Sequence, residues 1–481
     1  MSRIKHLIVL MLENRSFDHL LGFSGITGSN GTRIDGLQPQ GNPGIPDTDG
    51  KLYPPNTDAQ YSGDFEADPG HDFLDVNTQI FGTPNPEPGM KPDMRGFVKA
   101  YRASNNGNDA TVANVMRCFD RKNLPVLTTL AREYAVCDRW FSSVPGPTLP
   151  NRLFAHAGTS RGRLDLSPDD FNGFTTIYQV LDQSTPSVSS CIYSDGWTAT
   201  ATFKYLLEYQ DQFYGSLDDF ESDCADDDLP SYCFLEPRYS SGLVNDTFLP
   251  QNDQHPDSDV REGEELIFRI YQAIRSNRRV WESSMFVIVY DEHGGLYDHV
   301  TPPATVAPDN SPPDDLKFDF KRLGVRVPAV IVSAYTKNLV IHDKQFDHTS
   351  LIATARKLFT GQWTDNKMGA RAAQAGTFDE VAMNLTEPRL DHVHIPLSPS
   401  RHPLPSKPAL NDLQKKHLQQ ALWLDEHKHL NIRQTIPHLK TLSDAQVKAG
   451  DKISEELAEK YTRLVFAQAR TLPKKKREGQ Q

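Results

Sequence analysis

Ile4-Lys5-His6-Leu7-Ile8-Val9-Leu10-Met11-Leu12 runs directly into Glu13-Asn14-Arg15-Ser16-Phe17-Asp18-His19. The first nine residues are nearly all apolar and rich in β-branched and leucine side chains. They read as a strand buried on both faces, as in a parallel sheet. Similar runs recur at residues 191–193, 285–290 and 328–335, and helical patterns lie between them at 124–134, 262–276 and 350–359. Strands alternating with helices predict an α/β sandwich. In such sheets ligands gather at the carboxyl ends of the strands, so Glu13 and Asn14 should emerge at the working edge.

A carboxylate and an amide oxygen side by side suit a hard divalent cation. Ser16 or Asp18 can simply cap the helix that follows. The pattern then recurs, because Phe286-Val287-Ile288-Val289-Tyr290 is succeeded by Asp291-Glu292-His293-Gly294-Gly295. Two adjacent acids leaving a buried strand repel each other unless a cation holds them. The glycines permit a tight turn or a close ligand. Either cluster alone is most simply a surface turn; two clusters of oxygen donors at strand ends point to a metal site. In Pro145-Gly146-Pro147-Thr148-Leu149-Pro150-Asn151-Arg152 the prolines fix the approach to a helix beginning near Thr148. That places a hydroxyl at a positive helix end, where phosphate also binds. The plainer reading of this segment alone makes Thr148 an N-cap.

The rest of the chain bounds the classes of function. Across 481 residues Lys and Arg total 51 against 63 for Asp and Glu, a net charge of −12 that disfavours nucleic acid. No apolar stretch approaches the roughly 20 residues needed to span a bilayer. The amino terminus runs straight into a strand without a signal peptide, so a cytoplasmic location is expected. Cys118, Cys137, Cys191, Cys224 and Cys233 match no zinc spacing and are odd in number. Reduced thiols are the simplest reading, with a Cys224–Cys233 disulfide as the alternative after export.

Residues 24–70, rich in Gly, Pro, Asn and Asp, should be a long surface excursion of the kind that shapes substrate mouths. The acids Asp218, Asp219, Glu221, Asp223, Asp226, Asp227 and Asp228 read as a solvated face, with attraction of a cationic head group as the sharper alternative. Beyond about residue 380 a Pro-rich stretch at 396–408 leads to two helical segments, 413–430 and 443–469. A charged tail with Pro473-Lys474-Lys475-Lys476-Arg477 follows. The chain therefore divides into a catalytic domain at 1–380 and, at 381–481, a linker, a helical extension and a basic tail.

Three of these blocks together resemble the signature blocks of the phosphoesterase family, which includes non-specific phospholipases C and bacterial acid phosphatases. They are Glu13-Asn14-Arg15-Ser16-Phe17-Asp18-His19, Gly146-Pro147-Thr148-Leu149-Pro150-Asn151-Arg152 and Asp291-Glu292-His293-Gly294-Gly295-Leu296-Tyr297-Asp298-His299-Val300. Pro69-Gly70-His71-Asp72-Phe73-Leu74-Asp75-Val76, Glu236-Pro237-Arg238 and Asp253-Gln254-His255-Pro256-Asp257 match as well, in family order. The resemblance implies an alkaline-phosphatase-like three-layer α/β sandwich with a mostly parallel central sheet, followed here by the helical extension. It implies that Glu13, Asn14, Asp291 and Glu292 bind one divalent metal together with Thr148. Thr148 is the implied nucleophile, and His71 and His255 contact the phosphoryl group or its leaving oxygen.

His293, Asp298 and His299 are candidates for orienting the ligands. Arg15 and Arg152 either pair with phosphate or form structural ion pairs. Oxygen-only ligands suit calcium, magnesium and manganese alike. The expected reaction is phospholipase C hydrolysis of glycerophospholipids through a phosphothreonine, with transient contact at a membrane surface. The alternatives are a broad-specificity acid phosphatase acting on small phosphate esters, a silent binding protein and a sulfatase. The sulfatase lacks its modification block here.

Overall fold

The apolar run after residue 4 forms strand β1 (His6–Leu12), buried from Leu7 onward. A computed structural model describes residues 3–62, 65–105, 107–171, 173–244, 247–396, 410–450 and 452–471. In chain order the other strands of the main sheet are β2 (Ala135–Cys137), β3 (Ser190–Ser194), β4 (Tyr214–Gly215) and β5 (Tyr232–Glu236). They are followed by β6 (Ser284–Tyr290), β7 (Ala329–Ser333) and β8 (Leu339–Ile341). The eight strands lie in the order β8-β2-β7-β6-β1-β5-β3-β4. Neighbours are parallel throughout except at β7, which runs antiparallel to both β6 and β2.

Every residue of β6 is buried, so both faces of the sheet are covered. The helices that matter for the site are α1 (Phe17–Leu21), α2 (Phe73–Phe81), α3 (Pro125–Glu133), α4 (Thr148–Ala157) and α5 (Leu217–Asp226). Further along come α6 (Val260–Ser276), α7 (Thr349–Thr360), α8 (Asp412–His427), α9 (Asp444–Ala449) and α10 (Glu455–Ala469). Helix α6 packs against α3 and α5, while α7 packs against α4, giving two groups of helices about one sheet. The expected α/β architecture and mostly parallel sheet are present.

Two readings of the sequence need correction. The helix expected at 443–469 is two helices, because Gly450 takes a left-handed φ of +71° at the end of α9 and Ser454 caps α10 afresh. The excursion at 24–70 is not all surface. Leu37 and Ile45 join Val76, Ile80 and Phe97 in a second small core. In α5, Asp218 and Glu221 pair with Arg269 at 2.7 and 2.5 Å and Asp219 completes a capping box with Ser216. They form the solvated helix face.

All five cysteines are buried and unpaired. Among the described residues no helix is long and apolar enough to cross a membrane. The basic stretch at 473–477 and the Pro-rich stretch after residue 396 lie outside the described residues. The C-terminal helices share the main core, where Leu413, Leu418 and Leu422 of α8 and Val465 of α10 are buried. Polar ties accompany them: Trp197 Nε1 donates to Gln420 at 3.1 Å, Gln414 to the Tyr239 carbonyl at 2.8 Å, and the Ser241 amide to Glu455 at 2.6 Å.

Candidate active site

Strands β1 and β6 are adjacent, parallel and in register, with Leu12 opposite Tyr290. Parallel neighbours lie about 4.8 Å apart, so Glu13-Asn14 and Asp291-Glu292 leave the sheet side by side. Asn14 turns sharply with a φ of +55°, a conformation Asn tolerates well. Its amide then donates to Asp291 Oδ1 at 3.1 Å. Gly294 and Gly295 make the return turn at φ +63° and +68°. A Cβ on Gly294 would stand 2.1 Å from the Asn14 carbonyl oxygen, and one on Gly295 would stand 2.7 Å from that of Gly70. Glycine is needed here for close backbone approach.

Thr148 is the first residue of α4, with Pro147 at the cap position, so it is not the N-cap of its helix. No side chain caps this helix, and Asn151 instead ties down the loop that leads into it. Its side chain accepts from the Val144 amide at 3.0 Å and donates to the carbonyls of Gly146 and Pro147 at 2.9 and 3.0 Å. That clamp leaves the Thr148 hydroxyl free to donate to Asn14 Oδ1 at 3.1 Å. Thr148 is 4% exposed and lines a cavity of about 540 Å³ with His71, Phe73, Leu149, Leu164 and Leu413. None of residues 24–70 lines this cavity among those described. Helix α8 of the C-terminal region does.

Two buried carboxylates meet one guanidinium here. Arg152 donates to Glu13 Oε1 at 2.7 Å and to Asp291 Oδ2 at 3.0 Å, so the ion-pair reading of Arg152 holds. Glu13 Oε2 and Glu292 Oε1 are buried without a hydrogen-bond partner. Burial and the neighbouring Asp291 push the Glu13 carboxyl well above its ordinary pKa, only partly offset by Arg152. Burial likewise raises Asp291, against the opposing pull of Arg152. Unpartnered oxygens and uncompensated negative charge are what a hard divalent cation would satisfy. The residues fit such an ion.

His71 and His255 face each other with ring centroids 6.5 Å apart. His71 Nδ1 donates to the Pro69 carbonyl at 2.9 Å, leaving Nε2 for other partners. Burial alone would lower its pKa, but Glu292 and Asp68 outweigh burial and raise it to about 10. For His255 the opposing carboxylates are Asp68 and Asp257, which against burial raise it to about 9. Asp257 holds His255 Nδ1 at 2.7 Å, and Asp68 lies 3.5 Å from Nε2. Arg15 donates to the carbonyls of Gln254 and His255 at 2.6 and 3.0 Å, so it anchors the His255 loop. His293 sits between Glu292 and Gln79. His348 Nε2 donates to the Asp291 carbonyl at 2.5 Å, and burial lowers its pKa to about 4, so it is a neutral donor that steadies the ligand strand.

Asp18, Asp298 and His299 form a second cluster whose ligand atoms lie within 4.8 Å of one another. Its charge is already balanced. Arg326 reaches Asp18 at 3.0 Å and Asp298 at 3.2 Å, and His299 Nδ1 lies 2.6 Å from Asp18. This network pins α1 to the segment after the 294–295 turn. Asp298 accepts from the Asp18 amide at 3.0 Å and the His299 amide donates to Asp18 at 2.9 Å, so the two segments hold each other's backbone.

Sequence reading missed Gln79, Asn151, Asp257, Arg326 and His348 as contributors. Asn151 and Asp257 stood inside quoted blocks, and Gln79 is a polar residue on a helix face shared with Val76 and Ile80. Those were the available signals.

The geometry agrees with what the chain is similar to. The Phosphoesterase family model matches residues 4–360. Non-specific phospholipase C3 of Arabidopsis thaliana is 37% identical over 412 residues, covering 81% of this chain and 75% of that protein. Non-specific phospholipase C1 of the same plant is 35% identical over 482 residues, covering 95% and 85%. Among solved structures, a protein in the alkaline phosphatase superfamily from Vibrio parahaemolyticus is 14% identical with a TM-score of 0.33, covering 53% of this chain and 65% of that one. With the family model spanning both strand-end clusters, the Thr148 helix and both histidine loops, this chain belongs to the Phosphoesterase family.

Proposed function

We propose that this phosphoesterase hydrolyses glycerophospholipids between glycerol and phosphate, with Thr148 as nucleophile and one divalent cation held by Glu13, Asn14, Asp291, Glu292 and Thr148. The observation that carries the reading is the Thr148 hydroxyl, 3.1 Å from Asn14 Oδ1 at the joint end of β1 and β6 and opening on a largely apolar cavity. The names of the Arabidopsis relatives support the substrate class.

When bound, the cation would lower the pKa of the threonine hydroxyl and offset charge on the phosphoryl oxygens. Thr148 Oγ attacks phosphorus and the bond to the glycerol oxygen breaks. The first amides of α4, which have no partner within the helix, face the phosphoryl group. His71 and His255, each with Nδ1 held by a neighbouring oxygen, donate to phosphoryl oxygens and pass a proton to the departing alcohol. Water then releases the phosphorylated head group from the phosphothreonine. Phe73, Leu149, Leu164, Leu166 and Leu413 offer apolar surface to the glycerol side of the lipid. Leu74 and Leu316, exposed at the same cavity, support transient contact with a membrane surface.

The test is a hydrolysis panel of phosphatidylcholine, lysophospholipid, p-nitrophenyl phosphate and p-nitrophenyl sulfate, with product analysis and elemental analysis of the protein. Diacylglycerol from phosphatidylcholine, at higher kcat/KM than any monoester, is the expected result, since binding energy from the remote parts of a lipid serves the transition state. Preference for p-nitrophenyl phosphate with no diacylglycerol would move the assignment to acid phosphatase.

A further inference from the structure

Gln79 lies on α2 and is 1% exposed, a polar side chain among Val76 and Ile80. Its amide is engaged at both ends. Nε2 donates to the Gly70 carbonyl at 2.7 Å, and Oε1 stands 2.7 Å from His293 Nε2. Because a carbonyl can only accept, the Gly70 contact fixes which end of the amide is oxygen, so His293 Nε2 is the donor to it. The other ring nitrogen of His293 lies 3.2 Å from Glu292 Oε2. Gly70 immediately precedes His71, and its carbonyl also forms the wall against which Gly295 packs. The turn carrying the acidic ligands and the loop carrying His71 thus meet at Gly70.

We propose that Gln79 is a positioning residue that fixes the His71 loop relative to the Glu292 carboxylate, acting through His293. The inference rests on the roles proposed above for Glu292 and His71. A buried amide whose donor and acceptor are both committed is a spacer of defined length. Its oxygen orients the ring that touches Glu292, while its nitrogen holds the peptide just before His71. Phosphoryl transfer depends on in-line placement, and misplacement by about 1 Å can cost about a hundredfold in rate. A packing role alone would be met by any side chain of the same volume.

The experiment compares Gln79→Met, which keeps the size and loses both hydrogen bonds, with Gln79→Glu, which keeps the acceptor for His293 and turns an oxygen toward Gly70. Rates are read on whichever phosphate ester the wild type hydrolyses fastest, so that an error in the substrate class stays separate from an error here. Manganese affinity is read by calorimetry on protein stripped of metal. Gln79→Met should lower kcat by about 10- to 100-fold and weaken metal binding by about tenfold, the usual range for a residue behind a ligand, with little change in KM. Gln79→Glu should retain metal affinity and still lose kcat. The changes from Gln79→Met and His293→Ala should be less than multiplicative when combined. Values of kcat and affinity within twofold of wild type for Gln79→Met, or multiplicative effects with His293→Ala, would overturn the proposal. If circular dichroism shows Gln79→Met unfolded, a Gln79→Glu kcat within twofold of wild type overturns it equally.

Discussion

Thr148 donates its hydroxyl to Asn14 and has no capping duty, since it is the first residue of α4 and Pro147 holds the cap position. Thr148→Ala should therefore leave the melting temperature nearly unchanged while kcat falls by at least about a thousandfold. Thr148→Ser should keep part of the rate because the alkoxide remains possible. Retention of more than about a tenth of wild-type kcat by the alanine variant would exclude covalent catalysis at this position. Asp291→Asn and Glu13→Gln each remove one of a few oxygen ligands. We expect both to lose metal in elemental analysis, and chelation of the wild type to abolish activity until divalent ion is restored.

His299 gives a prediction about pH. Burial alone would lower its pKa, but its bonds to Asp18 and Asp35 outweigh that and raise it to about 10. An unfolded histidine titrates near about 6.5. A pKa raised on folding adds stability that is complete below that value and is lost as pH rises through about 10. The melting temperature of the wild type should thus fall between pH 7 and 10 more steeply than that of His299→Gln. Parallel declines in the two proteins would show that the pairing contributes nothing.

At the scale of elements, the site depends on two turns that bring strand ends together. Gly294→Ala would demand a left-handed backbone, costing about 1–2 kcal/mol, and would drive its Cβ to within 2.1 Å of the Asn14 carbonyl oxygen. The expected outcome is a lower urea midpoint and weaker metal binding together, since the same carbonyl belongs to a ligand residue. A lower midpoint with unchanged metal affinity would mean that the turn serves stability alone. Strand existence was readable from the apolar runs at 4–12 and 285–290, because strands buried on both faces carry an unbroken apolar pattern. The antiparallel course of β7 was not readable. The connection from β6 runs through residues 291–328, long enough for either direction, and the pairing with β6 and β2 leaves no mark in the residues of β7 itself.

For the whole molecule, the C-terminal helices are part of the main core and of the cavity wall. Removing residues 410–471 would expose Leu149 and Leu166 on one side and leave Trp197 without Gln420 on the other. The truncated chain should lose cooperative thermal unfolding and precipitate on expression. A soluble, cooperatively melting truncation would show that the catalytic region folds alone. The sequence by itself determined the chemistry of the site: oxygen donors at the ends of two buried strands and a threonine opening a helix, because strand, turn and helix-start signals are local. Only the tertiary structure decided that Arg152 pairs with Glu13 and Asp291, that Gln79, His348 and Asp257 meet His293, the Asp291 carbonyl and His255, and that α8 walls the cavity. Those contacts join residues more than a hundred positions apart in several cases, and no local pattern records which buried polar group will meet which.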